Sequence, residues 1–97
     1  MINSKERKIL SGMGQKIQPI FQIGKNGITD TLVKEIGDAL EARELIKISV
    51  LNNSEISARE ASDLLCEALG SDGVSAVGNR AVIYRRSSRK DIKHIEF

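Results

Sequence analysis

The 97-residue sequence predicts an α+β fold, a two-layer sandwich in which helices pack mainly on one side of a mixed four-stranded sheet. Apolar residues recur with helical or strand periodicity in the order α-β-α-β-α-β-β. Strand–helix–strand units favour parallel pairing through right-handed crossovers, whereas the last two strands are joined by a tight turn and must be antiparallel. Lys47 and Ser49 occupy one face of the second strand, and this face is expected to be too polar for a helix to cover.

The N-terminal region predicts a short helix followed by a strand. Ser4 is a suitable N-cap for a helix over residues 5–12. Residues 17–23 are apolar and β-branched, and Pro19 should lie at the start of their strand or on a sheet edge because it has no N–H to donate. The apolar side of the first helix is expected to consist of Ile9, Leu10 and Met13.

The middle of the chain predicts a helix, a strand and a second helix. Thr29 can cap a helix that runs to about Arg43 and carries a one-sided apolar stripe. Residues 45–51 alternate between apolar and polar side chains, which is typical of a half-buried strand. Ser57 and Glu60 form a capping-box pattern, and the helix that they open should end at Leu69-Gly70.

The C-terminal part predicts a β-hairpin and a free tail. Val74–Val77 and Ala81–Arg85 flank the turn sequence Gly78-Asn79-Arg80. The last residues are polar and basic, so residues 87–97 are expected to form a flexible basic tail. The chain is therefore interpreted as a single domain over residues 1–97.

Composition excludes several functional classes. One cysteine and one histidine can form neither an internal disulfide nor a zinc site. No apolar stretch is long enough to span a membrane, and no secretion signal is recognisable. Cys66 and His94 have no recognisable activating partner, so neither is expected to be catalytic. The sequence predicts a cytoplasmic, monomeric protein that is not an enzyme and has no metal, cofactor or small-molecule substrate.

Charge is unevenly distributed along the chain although the net charge is only +2. Residues 1–28 carry five basic side chains and one acidic one, and residues 84–97 carry five basic and two acidic ones. Residues 29–70 carry four basic and nine acidic side chains. Two basic ends are typical of a protein that binds a polyanion, if the ends meet in space. Ordinary solubilising surface charge explains the pattern equally well.

The segment Gly24-Lys25-Asn26-Gly27 is the most informative motif. It joins a predicted strand to the helix that Thr29 caps, and its glycines leave room for a ligand to approach the backbone. The N-terminus of a helix attracts anions, and a GxxG loop clamps single-stranded nucleic acid in KH domains. The same four residues are also good turn formers, and their placement leaves the two interpretations evenly matched.

Further basic residues predict contacts with phosphate rather than with bases. Lys16 precedes the first strand and Arg85 and Arg86 follow the last one, so they would extend the binding surface if they face the same side as Lys25. The chain has only three aromatic residues, which favours recognition of phosphate and ribose over base stacking. The predicted RNA-binding residues are Gly24, Lys25, Asn26, Gly27, Thr29, Lys16, Arg85 and Arg86.

Three blocks, residues 19–29, 35–47 and 77–85, together resemble the stand-alone bacterial CRM domain proteins of the YhbY/YqeI type. This resemblance implies a fold like the C-terminal domain of a bacterial translation initiation factor. It also implies RNA binding through the GxxG loop and nearby basic residues, and association with precursor large ribosomal subunits. The sequence departs from the family at Gln18, where lysine is frequent, and at Arg43, where histidine is common.

The predicted function is that of a non-enzymatic RNA-binding protein that assists assembly of the large ribosomal subunit. The alternative is a protein-interaction adaptor that docks a ribosomal protein or assembly factor through the acidic helices. A small RNA-processing enzyme is the third possibility, but the sequence offers no plausible acid, base or metal cluster for it.

Overall fold

The computed structural model describes all 97 residues and contains three helices and four strands in the predicted order. The elements are α1 (Ser4–Gly14), β1 (Pro19–Ile23), α2 (Asp30–Arg43), β2 (Leu45–Val50), α3 (Ala58–Leu69), β3 (Asp72–Val77) and β4 (Arg80–Tyr84). The strands form one sheet in the order β1-β2-β4-β3. β1 is parallel to β2, and the other two pairs are antiparallel. The predicted α+β class with a mixed four-stranded sheet is confirmed.

The strand boundaries follow local backbone chemistry. Pro19 opens β1, which is an edge strand, as its missing N–H requires. The pairing register shifts between Pro19 and Phe21 in the β1–β2 ladder and between Gly73 and Ser75 in the β3–β4 ladder. Gly78 begins the two-residue hairpin turn with a φ of +59°, a conformation that favours glycine.

Side-chain caps set the starts of the helices. Thr29 caps α2 and Ser57 caps α3, as predicted. The prediction of Ser4 as the cap of α1 was wrong, because Asn3 holds that position. The Asn3 side chain accepts from the N–H of Glu6 at 2.8 Å, and the Glu6 carboxylate accepts from the N–H of Asn3 at 3.0 Å. A glutamate three residues after the cap completes a capping box, which favours Asn3 over its neighbour.

The larger core lies on the face of the sheet that α2 and α3 cover, called here the first face. Cys66 of α3 is half-buried and packs against this core. Gly70 ends α3 with a φ of +64°, as predicted. The buried residues of the first-face core are Ile23, Ile36, Leu40, Ile46, Ile48, Val50, Ala58, Ala61, Leu65, Ala81 and Ile83.

The opposite face, called here the second face, is partly covered by α1. The helices therefore lie mainly but not wholly on one side of the sheet, and the predicted open Lys47/Ser49 face is corrected. Polar residues of β2 suggested a solvent-facing surface, but Leu45 and the neighbouring strands supply enough apolar area to hold a helix. The buried residues of the second-face core are Ile2, Leu10, Leu45, Val74, Val82 and Tyr84.

Helix α1 contacts the sheet along a narrow line. Leu10 is fully buried, whereas Ile9 and Met13 are 37% and 36% exposed, so the predicted three-residue apolar side is reduced to one residue. A Cβ atom at Gly14 would lie 3.0 Å from Cγ1 of Val82, which places the helix backbone almost directly on the sheet. Close approach at a glycine thus replaces the broader apolar stripe that the sequence suggested.

Replacing Gly14 by alanine is expected to destabilise the protein by about 1–3 kcal/mol, because the added methyl group overpacks against the stiff, buried Val82 side chain. Gly12 is the matched control, since a Cβ at this position meets no atom within 4 Å. The Gly12→Ala variant is expected to gain about 0.5–1 kcal/mol from better helix propensity. Thermal unfolding measures whether each substitution lowers or raises the stability of the protein. A stabilised Gly14→Ala variant would contradict the packing of α1 on Val82.

Residues 87–97 fold back onto the domain, in place of the flexible tail that the sequence predicted. Ser87 is buried, and Ile95 packs against the second-face core. The ring of Phe97 meets the ring of Tyr84 edge to face, with 5.7 Å between the ring centroids. The apolar residues of the segment are too few to form a periodic pattern, so this docking could not be predicted from the sequence.

Glu44 holds the C-terminal segment in place. It caps α2 with a φ of +67°, and the residue is 1% exposed. Its carboxylate accepts from the N–H groups of Ser87 at 2.8 Å and Ile95 at 2.7 Å. The Nδ1 atom of His94 lies 2.5 Å from the same carboxylate. The prediction that His94 has no orienting partner was therefore wrong, and the partner is fifty residues away along the chain.

Candidate nucleic-acid interface

The Gly24–Gly27 loop is a tight turn that presents two polar side chains at its tip. The N–H of Gly27 donates to the carbonyl of Gly24 at 3.0 Å, and Gly27 has a φ of +66°. Lys25 and Asn26 are exposed. A Cβ at Gly24 would lie 3.3 Å from Oδ1 of Asn53, so a larger residue would crowd the neighbouring loop. The turn therefore keeps its backbone accessible while displaying one cation and one amide.

The loop leads directly into the N-terminus of α2. The Thr29 hydroxyl accepts from the N–H of Leu32 at 3.1 Å, which fixes the first turn of the helix. The N–H groups of Asp30 and Thr31 have no acceptor within the helix, as at any helix N-terminus. These donors and the helix dipole favour an anion beside the loop. The carboxylates of Asp30 and Glu35 lie close by. They would repel an anion that approaches α2 without contacting the loop.

The sheet brings further residues to the same end as the GxxG loop. These residues were not among those predicted from the sequence to bind RNA. β1 and β2 are parallel, so the loop after Ile23 lies beside the end of β2. The Asn79 carbonyl accepts from the N–H of Val50 at 2.7 Å, and the Asn79 side chain donates to the Val50 carbonyl at 3.2 Å. Arg80 follows in the register position opposite Ser49. The strand order is the signal that places this hairpin turn near the GxxG loop.

Lys16, Arg85 and Arg86 lie at the opposite end of the sheet from the GxxG loop. Lys16 precedes the first residue of β1, and the two arginines follow Tyr84, which pairs with the first residue of β2. Five residues of β1 separate the two ends, a distance of about 16 Å at 3.3 Å per residue. The structure therefore separates these three residues from Lys25, because the antiparallel direction of β4 carries its C-terminal end away from the loop.

Arg85 connects the two first-face helices. Its guanidinium donates to the carbonyls of Leu69 at 2.8 Å and Gly37 at 3.2 Å, and to the Glu41 carboxylate at 3.2 Å. Hydrogen bonds from the Ser88 hydroxyl and N–H, together with the Arg85 charge, hold the pKa of Glu41 below its ordinary value. Arg85 thus uses most of its donors inside the protein.

Arg85→Lys is expected to lower the free energy of unfolding by about 1–2 kcal/mol, because an ammonium group cannot reproduce three hydrogen bonds of the guanidinium fork. The positive charge is retained, so RNA affinity should change by no more than about twofold. Chemical denaturation and a fluorescence-anisotropy titration measure the two effects separately. Unchanged stability with a large loss of RNA affinity would assign Arg85 to the binding surface instead.

No group of three or more histidine, cysteine, aspartate or glutamate side chains is arranged to hold a metal ion. His94 is engaged with a buried carboxylate, and Cys66 is packed against the first-face core. None of the three helices combines the length and apolar character that a membrane crossing requires. The groups that the loop end of the sheet offers are a lysine, an amide and free backbone N–H donors, which suit an anion.

The sequence matches the CRS1/YhbY (CRM) domain family over residues 2–85. The chain belongs to the CRM domain family. This CRM domain is 41% identical to the probable RNA-binding protein YqeI of Bacillus subtilis, over 99% of this chain and 98% of that protein. It is 27% identical to the probable RNA-binding protein PA4753 of Pseudomonas aeruginosa, over 91% of this chain and 85% of that protein. Neither relative is named as an enzyme.

A solved structure has the same fold as this CRM domain. The solution structure of SAV1595 from Staphylococcus aureus, described as a candidate RNA-binding protein, superposes with a TM-score of 0.78. Its sequence is 42% identical, and the match covers 94% of this chain and 95% of that one. The family resemblance seen in the three sequence blocks is therefore confirmed.

Proposed function

We propose that this CRM-domain protein binds RNA and that the Gly24–Gly27 loop, with the N-terminus of α2, holds the RNA backbone. The observation that carries the proposal is the exposed pair Lys25 and Asn26 on a glycine turn beside the free N–H groups of Asp30 and Thr31. A phosphate can accept from these groups together, while Lys25 neutralises its charge. The names of the relatives support RNA as the ligand.

Recognition is expected to depend on phosphate and ribose rather than on base identity. Phe21 packs against the first-face core, and Tyr84 is buried beneath the docked C-terminal segment with Phe97 against its ring. The sheet therefore offers no row of free aromatic rings on which bases could stack. Affinity should accordingly fall with salt and vary little with RNA sequence.

The basic residues at the far end of the sheet have a secondary place in this proposal. Lys16 and Arg86 are exposed and would meet an RNA that runs the length of the domain. Arg85 would contribute charge more than hydrogen bonds, because its guanidinium is engaged with α2 and α3. The GxxG loop and Thr29 remain the primary contact.

The proposed partner is large-subunit ribosomal RNA or its precursor particle, bound by a monomer in the cytoplasm. Resemblance to the stand-alone bacterial CRM proteins supports this assignment. Sedimentation of the tagged protein in a sucrose gradient tests it, with and without ribonuclease treatment of the lysate. Migration with large-subunit particles that is lost after ribonuclease is the expected result. Migration that resists ribonuclease would favour the adaptor alternative, and a protein that stays at the top would contradict the proposed partner.

A further inference from the structure

The part of the second face that α1 leaves uncovered is an open groove with two cationic side chains. One wall is the C-terminal turn of α1, and the floor consists of β2, β4 and β3. The groove opens toward the end of the sheet that carries the hairpin turn, because Arg80 is the first residue of β4. The residues that define it are Ser11, Gln15, Lys47, Ser75, Val77 and Arg80.

Lys47 is the unusual member of this groove. The residue is only 8% exposed because its stem is covered, whereas its ammonium reaches the solvent in the groove and forms no hydrogen bond or ion pair within the protein. A lysine with a buried apolar stem and an accessible ammonium keeps its three donors free for a ligand. The adjacent C-terminal turn of α1 carries a partial negative charge, which favours the cation there without occupying its donors.

Arg80 supplies a second free cation on the same face. Lys47 is paired with Val82 and Arg80 with Ser49, so the two residues are diagonal neighbours on adjacent strands, a position at which backbone separations are about 7–8 Å. Arg80 is exposed and forms no salt bridge. Two unpaired cations with serine and glutamine side chains around them suit an anion with several oxygens.

We infer that this groove is a second contact for the backbone of the same RNA strand, with Lys47 and Arg80 as its phosphate-binding residues. The inference rests on the proposed function. Continuity along the sheet end supports it: Asn79, which precedes Arg80, is bonded to Val50 beside the GxxG loop. An open groove that carries two free cations also fits an extended polyanion better than an enclosed small molecule.

The test compares Lys47→Met with wild type in titrations of a short fluorescein-labelled single-stranded RNA at several salt concentrations. Methionine keeps the length and apolar stem of the side chain, so the fold should survive, which a thermal melt verifies. We expect about a tenfold loss of affinity and a salt-dependence slope smaller by about 0.7, the value for one neutralised phosphate. Lys90→Met, in the C-terminal segment, makes the same charge change at an exposed position and should leave the slope unchanged.

The outcomes separate this inference from the proposed function. A folded Lys47→Met variant with the affinity and slope of Lys90→Met would overturn the groove as a contact, while RNA binding by the wild type would leave the proposed function intact. Wild-type protein that binds no RNA would overturn both. If Lys47→Met does not fold, the exposed Arg80→Gln variant decides, with a reduced slope supporting the inference and an unchanged slope overturning it.

Discussion

Changing Lys25 and Asn26 together to aspartate is expected to weaken RNA binding by about tenfold or more and to leave the melting curve unchanged. Both side chains are exposed, and both glycines of the turn remain, so the fold loses no buried contact. The variant replaces the cation and the amide at the loop tip with two carboxylates beside the free N–H groups of α2. Those carboxylates repel phosphate and compete for the same donors.

The matched control is a Lys5→Asp/Gln18→Glu variant, which changes the net charge by the same amount at exposed positions away from the loop. Fluorescence anisotropy with a single-stranded RNA measures both variants at one salt concentration. The control is expected to bind within about threefold of wild type, because distant surface charges are screened. An equal loss in both variants would mean that affinity depends on total charge, and the loop would then have no special place in binding.

Glu44→Gln is expected to lower the free energy of unfolding by about 2–4 kcal/mol at neutral pH. The carboxylate accepts from the backbone of Ser87 and Ile95 and from the ring of His94, whereas an amide places N–H against one of these donors. Glu67→Gln is the control, since this residue is exposed on α3 and should change stability by less than about 0.5 kcal/mol.

The pH dependence of the stability of wild type and of Glu44→Gln gives an independent check. Burial alone would raise the pKa of the Glu44 carboxyl, but hydrogen bonds from His94, Ile95 and Ser87 outweigh it and hold the pKa below its ordinary 4.5. A carboxyl with a lowered pKa in the folded state stabilises the protein above the unfolded value and loses that contribution as pH falls through the folded value. The stability difference between wild type and Glu44→Gln should therefore shrink as pH falls below 4.5 and vanish below the lowered folded-state pKa of Glu44. A constant difference across the acid range would contradict this account.

Features that depend on a few neighbouring residues could be predicted from the sequence. The caps at Thr29 and Ser57, the edge position of Pro19 and the αL stop at Gly70 follow from local backbone chemistry. The GxxG loop belongs to this class, since its turn, its exposure and its position before a helix are all set within six residues.

Features set by contacts between distant segments could not be predicted in this way. Leu10 and Gly14 reach the second face only because β3 and β4 offer an apolar surface there. Glu44 belongs to an acidic helix in the sequence, and its burial depends on residues 87–97. The role of Arg85 likewise depends on how α2 and α3 meet. Gly14, Glu44 and Arg85 are small or charged residues, and the partners that give each of them its role lie more than fifteen residues away along the chain.

The irregular pairing at the two outer strands bears on how this protein avoids aggregation. An edge strand with regular, unpaired backbone groups is a template on which a second copy can extend the sheet. Here one edge begins with Pro19, and the other contains the register shift at Gly73, whose carbonyl is occupied by the Arg7 side chain at 3.1 Å. Neither edge offers an uninterrupted template, so the domain should remain dispersed at the high local concentrations that a polyanionic scaffold creates.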